Sequence, residues 1–313
     1  MASLANPNTA GAGLRHEIWL YAGIDDFVAR ATPFLREGIE RDEPCVVAVS
    51  REKIARLQAE LGHAADAVQF VDMREVGRNP ARLIPLWRDL VEEHAGRTLR
   101  GLGEPIWAER SAAELEECHL HEALLNVALH DAPILLVCPY DIETLNPGVV
   151  DDALHNHPVV AADGDAHENA KYAVPTHPLE GALPLPEAVT DTRVVHIEEL
   201  GALRRLVTER AEAFGLDDRQ VHASVLAVTE LATNSVHYGG GTGTFRTWQA
   251  GDALLFELSD AGHIEDPMAG RVRPLAAQNR GRGLWITNQV CDLVQVRSSP
   301  DGTTVRVWMR RTT

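Results

Sequence analysis

Between about His16 and Asp163 the chain alternates short apolar runs with amphipathic stretches. Residues 17–21, 45–49, 68–71 and 134–138 have the length and apolar content of buried strands. Asp25 is placed to cap a helix whose apolar positions Phe27, Ala31, Phe34, Leu35 and Ile39 recur at helical spacing. Residues 53–61, 83–94 and 114–128 read as further helices. Strands alternating with helices predict an α/β domain built on a parallel sheet.

The pattern then changes. Pro175, Pro178, Pro184 and Pro186 crowd one stretch with Gly181, and that density of proline breaks regular structure. Beyond Thr192 two helices come first, over 200–214 and 217–238. Strands follow over 244–248 and 253–259, around the turn Ala250-Gly251-Asp252. A helix at 283–290 precedes a terminal hairpin, 294–298 and 303–309, around Ser299-Pro300-Asp301-Gly302. Helices followed by antiparallel strands predict an α+β sandwich. The expected organisation is a disordered lead at 1–13, an α/β domain at 14–163, a linker at 164–190 and an α+β domain at 191–313.

Composition narrows the function. Of 313 residues 45% are apolar, enough for ordinary cores. The formal charge of −17 disfavours a general nucleic-acid binder, because phosphate would be repelled. Lys53 and Lys171 are the only lysines, and neither follows a glycine-rich loop. A lysine-bearing phosphate loop is therefore excluded. Cys45, Cys118, Cys138 and Cys291 show no C-x-x-C spacing, so no zinc knuckle or redox pair is indicated, and a reducing cytoplasm is expected. No apolar run approaches the roughly 18 residues of a membrane span, and residues 1–13 lack the apolar stretch of a signal peptide.

Three short patterns in the last third carry chemistry. Glu230 and Asn234 stand four residues apart, on one face of the predicted helix. A carboxylate there can take a proton from a hydroxyl or water, and an amide oxygen suits Mg²⁺ beside phosphates. Asp260-Ala261-Gly262 ends a strand, where a carboxylate can accept from an amino group and glycine admits a planar base. Gly281-Arg282-Gly283-Leu284 opens a helix, whose first amides attract phosphate, and Arg282 adds charge.

In this order the patterns resemble the GHKL ATPase superfamily, which includes gyrase, histidine kinases and MutL. Within it, Asn234-Ser235-Val236-His237-Tyr238 is similar to the anti-sigma serine kinases typified by RsbW, where a small residue and a histidine follow the asparagine. The resemblance covers roughly residues 192–313. It implies ATP and Mg²⁺ as cofactors, with Glu230 as catalytic base and Asn234 as Mg²⁺ ligand. Asp260 would hold the adenine amino group with Gly262 beneath the ring. Gly281, Arg282 and Gly283 would form the lid, with Leu284, His237 and Thr303 also at the nucleotide site. The family's D-x-G-x-G box is incomplete here, because Ile264 stands at its second glycine.

Residues from Leu14 to about Pro158 resemble the MEDS sensory domain. The likeness is carried by His16-Glu17, Pro33-Phe34-Leu35-Arg36-Glu37-Gly38, Gly103-Glu104-Pro105-Ile106-Trp107, His121-Glu122-Ala123-Leu124-Leu125-Asn126 and Cys138-Pro139-Tyr140-Asp141. It implies a RecA-like α/β fold without a phosphate loop, and a small-molecule ligand. Glu104, Trp107, His121, Glu122, Asn126 and Tyr140 are the pocket candidates, since strand ends of a parallel sheet form the natural site. A metal shared by Cys118, His119 and His121 is disfavoured, because adjacent helix positions point apart.

Together the two resemblances imply a cytoplasmic regulator whose sensor governs an ATP-dependent serine/threonine kinase. Its partner would be an anti-sigma-factor antagonist or a sigma factor, with no nucleic acid or membrane, and a homodimer is compatible. Two alternatives stay open. One is a nucleotide-dependent switch that sequesters a sigma factor without phosphotransfer. The other is an atypical histidine kinase using His121 or His196.

Overall fold

The computed structural model describes residues 13–162, 165–173, 176–275 and 281–311. The lead expected at 1–13 lies outside them except for Gly13. The chain divides into two compact units. The first comprises Met1–Glu75, Leu86–Arg110 and Leu125–Val174, and the second Val76–Pro85, Ser111–Leu124 and Pro175–Thr313.

The order of elements through the first half is β1 (Arg15–Tyr21), α1 (Gly23–Glu40), β2 (Cys45–Val49), α2 (Arg51–Leu61), β3 (Val68–Asp72), α3 (Met73–Val76), α4 (Leu83–Glu93), β4 (Leu99–Gly103), α5 (Ala112–Ala128), β5 (Ile134–Asp141), α6 (Pro147–Asn156), β6 (Val159–Ala162) and β7 (Asp165–Glu168). The strands form one sheet in the order β3-β2-β4-β5-β1-β6-β7. Every pairing is parallel except β6 with β7. All five residues of β2 are buried, as expected of a parallel strand covered on both faces. Phe27, Ala31 and Leu35 of α1 and Leu57 of α2 pack on Val47, Val49, Leu102 and Val137. That burial fixes the sheet that presents the strand ends.

The second unit continues with β8 (Asp191–Val195), α7 (Leu200–Phe214), α8 (Asp218–Tyr238), β9 (Gly243–Ala250), β10 (Ala253–Asp260), α9 (Gly283–Val290), β11 (Leu293–Ser299) and β12 (Gly302–Arg310). Its five strands form an antiparallel sheet in the order β11-β12-β10-β9-β8. The N-terminus of α8 is set by a capping box, in which Asp217 accepts from the Gln220 amide and the Gln220 side chain reaches back to the Asp217 amide. This helix touches β9, β10 and β12 and packs beside α7 and α9.

On β10 the period of two leaves Glu257 buried, where Arg306 and Arg246 pair with it at 2.6 and 3.2 Å. The Arg306 guanidinium also lies 4.8 Å from the Trp248 ring and donates to the carbonyls of Leu183 and Pro184. The backbone of the proline-rich stretch is thereby tied to this sheet, and the Ser298 amide adds a 2.9 Å bond to the Leu179 carbonyl. Among the described residues no helix is long and apolar enough to cross a membrane.

Candidate functional site

Three elements of the second unit converge on one cleft. Glu230 and Asn234 lie one turn apart on α8, both half-buried. The next residue, Ser235, turns to the sheet and is buried, where its hydroxyl donates to Asp260 Oδ2 at 2.6 Å. Asp260 is the last residue of β10, and its Oδ1 accepts from the Gly262 amide at 2.8 Å. Both carboxylate oxygens are thus held before any ligand arrives.

The turn after β10 is pinned from below. Thr303 of β12 pairs in register with Asp260, and its hydroxyl donates to the Gly262 carbonyl at 2.8 Å. Ser298 Oγ accepts from the Ile264 amide at 2.8 Å, so its own proton goes to Thr303 Oγ1, 2.7 Å away. Each donor and acceptor in this relay is used once, so the chain of bonds is satisfied without conflict.

The start of α9 closes on α8. A Cβ on Gly283 would stand 2.9 Å from Glu230 Oε2 and 3.0 Å from Asn234 Nδ2, so only glycine fits this approach. Gly262 is also confined, because a Cβ there would lie 2.7 Å from the Tyr238 carbonyl. Between these elements lies a cleft of about 630 Å³, lined by Asn234, Asp260, Gly262, Gly281, Gly283, Leu284 and Thr303. Apolar walls come from Leu231, Leu258, Ile264, Met268 and Val305. That size and mixture match sites for small organic ligands. A slot with apolar walls, a fixed carboxylate and glycine backbone at its floor suits a purine. The amide-bearing start of α9 beside Glu230 and Asn234 suits a phosphate chain.

Three expected residues stand apart from the lining. Glu230 meets the site through Gly283. His237 is exposed in the last turn of α8, and its neighbour Tyr238 lines the cleft instead. Arg282 is exposed, with Nη2 donating to the Leu275 carbonyl at 3.3 Å. Arg280 lies outside the described residues. Ser235 and Ser298 are further functional residues that the motifs do not announce. The first sits inside the Asn234–Tyr238 run that drew attention, whereas nothing local marks the second.

The segment bordering the cleft also carries Arg271, between the lining residues Gly270 and Val272. Arg271 is buried and pairs at 3.0 Å with Glu117, whose other oxygen takes Arg297 at 2.7 Å. Burial lowers the affinity of the Arg271 guanidinium for its proton, and Glu117 opposes that shift.

The six pocket candidates of the first half occupy different settings. Glu104 is buried and accepts from Lys53 Nζ at 2.6 and 2.7 Å and from the Tyr21 hydroxyl. Burial raises its pKa above the ordinary carboxylate value, while Lys53 and Tyr21 pull the other way. Burial and the neighbouring Glu104 likewise push the Tyr21 phenol up. Trp107 is half-buried, with guanidinium groups of Arg110 and Arg74 at 3.7 and 5.1 Å from its ring. His121 and Glu122 are buried on α5. Asn126 reaches His16, and Tyr140 stands edge-on to His157 at 5.7 Å.

Two family models match this chain. Residues 15–158 match the MEDS family, described as the MEthanogen/methylotroph, DcmR Sensory domain. Residues 195–309 match the histidine kinase-like ATPase domain. No curated protein matches. Among solved structures, that of the RsbU and RsbW domains of Rv1364c from Mycobacterium tuberculosis is similar at 18% identity and a TM-score of 0.30. The similarity covers 39% of this chain and 32% of that one, so this chain spans about a third of its length.

Proposed function

Because the chain joins a MEDS sensory domain to a histidine kinase-like ATPase domain, we propose that it is an ATP-dependent protein serine/threonine kinase of the anti-sigma type, governed by its sensory half. The ATPase domain implies ATP binding. The observation that carries the reading is the meeting of Gly283 with Glu230 and Asn234 at the cleft whose other end holds Asp260, Gly262 and Thr303.

The residues divide the labour. Asp260 accepts from the adenine amino group, and its bonds from Ser235 and Gly262 prevent it from turning away. The Asn234 amide oxygen is the ligand for Mg²⁺, which supplies charge neutralisation among the phosphates when bound. The amides from Gly281 to Leu284, with Arg282, receive the phosphate chain. Glu230 takes the proton of the acceptor hydroxyl as that oxygen bonds to phosphorus and the bond to the ADP oxygen breaks. The acceptor is a serine or threonine of a partner, an anti-sigma-factor antagonist on this reading.

Control by the sensory residues has a route within the second unit. Glu117 lies in the MEDS-matching part of the chain and pairs with Arg271 on the segment bordering the cleft. A shift of the α5 segment that withdrew Glu117 would leave a buried arginine to find a new position.

The test measures ATP binding and transfer of labelled phosphate to an antagonist protein from the same cell. Glu230→Gln should keep ATP affinity within about threefold and cut transfer by about 10²–10⁴-fold. Undiminished transfer would remove Glu230 as the base. The incomplete glycine box, with Ile264 in place of glycine, favours the second reading of a switch that binds ATP and a sigma factor without transfer. In that case the wild-type chain binds ATP and transfers nothing. An acid-labile product would instead indicate a phosphohistidine. His121 is buried and His196 exposed, so His196 is the position to examine.

A further inference from the structure

The first unit holds a set of side chains that the proposed kinase chemistry does not use. His16 on β1, Cys138 on β5 and His157 just after α6 are each at most 2% exposed. One ligand atom from each lies within 4.8 Å of the other two. His16 Nε2 is 3.3 Å from Cys138 Sγ, and the two imidazole rings are 4.2 Å apart between centroids. We infer that His16, Cys138 and His157 form a binding site for a tetrahedral transition-metal ion of the zinc class.

The hydrogen bonds behind the rings carry the inference. His157 Nδ1 is 2.8 Å from the Ala153 carbonyl, which can only accept, so Nδ1 holds the ring proton. Asn126 Nδ2 donates to the Asn156 carbonyl at 2.8 Å, which turns Asn126 Oδ1 towards His16 Nδ1, 3.1 Å away. The amide oxygen also only accepts, so His16 carries its proton on Nδ1 as well. Both rings are therefore fixed in the tautomer that presents the Nε2 lone pair, the arrangement that orients metal-bound histidines.

Spacing agrees with this assignment. With metal–sulfur and metal–nitrogen bonds of about 2.3 and 2.0–2.1 Å, tetrahedral donors stand roughly 3.3–3.7 Å apart. The His16–Cys138 separation already lies there. Two imidazoles and a thiolate are borderline-soft donors, which suit zinc and cobalt better than magnesium or calcium. Enclosure also separates this set from a cysteine–histidine nucleophile, which needs substrate access. Binding replaces the Cys138 thiol proton with the metal, so one proton leaves for each ion bound.

The experiment uses the untagged full-length chain, reduced and stripped with chelator, and titrates it with cobalt and then zinc. One equivalent of cobalt should bind with tetrahedral d–d absorption and a thiolate-to-cobalt charge-transfer band, and zinc should displace it. Cys138→Ser should abolish the charge-transfer band, and Cys45→Ser, a buried thiol elsewhere in the sheet, should retain it. Asn126→Ala, which removes the bond to His16 Nδ1 together with that to the Asn156 carbonyl, should weaken cobalt about 10–100-fold while the band keeps its shape. Absence of the band in the wild-type chain would overturn the proposal, even if a variant failed to fold. So would a band that survives Cys138→Ser.

Discussion

The cleft of the second unit and the buried histidine–cysteine set are built on opposite plans. The cleft takes most of its lining from three short stretches, 231–238, 258–274 and 281–284, with Thr303 and Val305 added from β12. The buried set takes one residue each from positions 16, 138 and 157 and is assembled only by parallel strand pairing and the end of α6. In the first plan the spacing of a motif is its geometry, because a helix converts i and i+4 into neighbours. In the second, sequence distance says nothing about proximity. The cleft is open and lined by apolar side chains, glycines and a few polar groups, as a ligand that must enter and leave requires. The set is closed, as suits an ion held for structure or sensing.

The largest expected effect tests whether the cleft is as local as this contrast makes it. Glu117 is far from the three motifs in sequence, yet it is the buried partner of both Arg271 and Arg297. Glu117→Ala should destabilise the protein by about 3–5 kcal/mol, because it leaves a buried guanidinium uncompensated. Chemical denaturation monitored by tryptophan fluorescence would measure it. A loss below about 1 kcal/mol would show that the Arg271 segment is held by its own loop alone. The contrast between local and assembled sites would then sharpen.

How much was readable follows the same division. Both fold classes and most strands are legible because buried parallel strands such as β2 and β5 are apolar runs and β9 and β12 alternate along much of their length. The three cleft motifs were legible for the reason given above. Strand β7, Asp165–Glu168, falls inside the stretch read as linker. The run 165–168 contains no string of apolar residues, and among the described residues it pairs with β6 at the edge of the sheet. Helix α6 carries a local signal, Asn146 as cap with Pro147 in the first turn. Glu104 stands out by its place at a strand end, but its partners Lys53 and Tyr21 come from α2 and β1 and are not legible locally. His16 and Cys138 stand in two of the runs that carry the family likeness, but nothing local marks either as a metal donor.

A middle-sized effect probes the cleft itself. Asp260→Ala removes the acceptor for Ser235 and Gly262 and the proposed anchor for the adenine amino group. Hydrogen bonds to a charged group are worth about 1.5–3 kcal/mol, so ATP affinity should fall by about 10–100-fold. Thr303→Val breaks one link of the relay to Gly262 and should cost about 0.5–1.5 kcal/mol, roughly 2–10-fold in affinity. Isothermal titration with ATP reads both. Equal losses from the two variants would mean that the relay positions the whole turn and that Asp260 makes no separate contact.

The smallest effect separates two buried thiols of one sheet. Cys45 on β2 donates to the carbonyls of Leu35 and Glu43 at 3.8 and 3.5 Å. Burial pushes its pKa from an ordinary 9.0 up to about 11, with Arg100 opposing and Glu43 reinforcing the shift. The folded state thus holds this proton more tightly than the unfolded chain does. The corresponding stability is fully present below pH 9 and is lost as pH rises towards 11 and beyond. Cys138 in its metal-bound form is already a thiolate at neutral pH and contributes no such slope. Denaturation midpoints compared between pH 8 and 11 should fall less steeply in Cys45→Ala than in the wild-type chain. In the zinc-loaded protein that difference should persist, since Cys138 has no proton left to lose. If Cys45→Ala and the wild-type chain instead fell equally without zinc and the slope vanished on zinc loading, the alkaline slope would belong to Cys138.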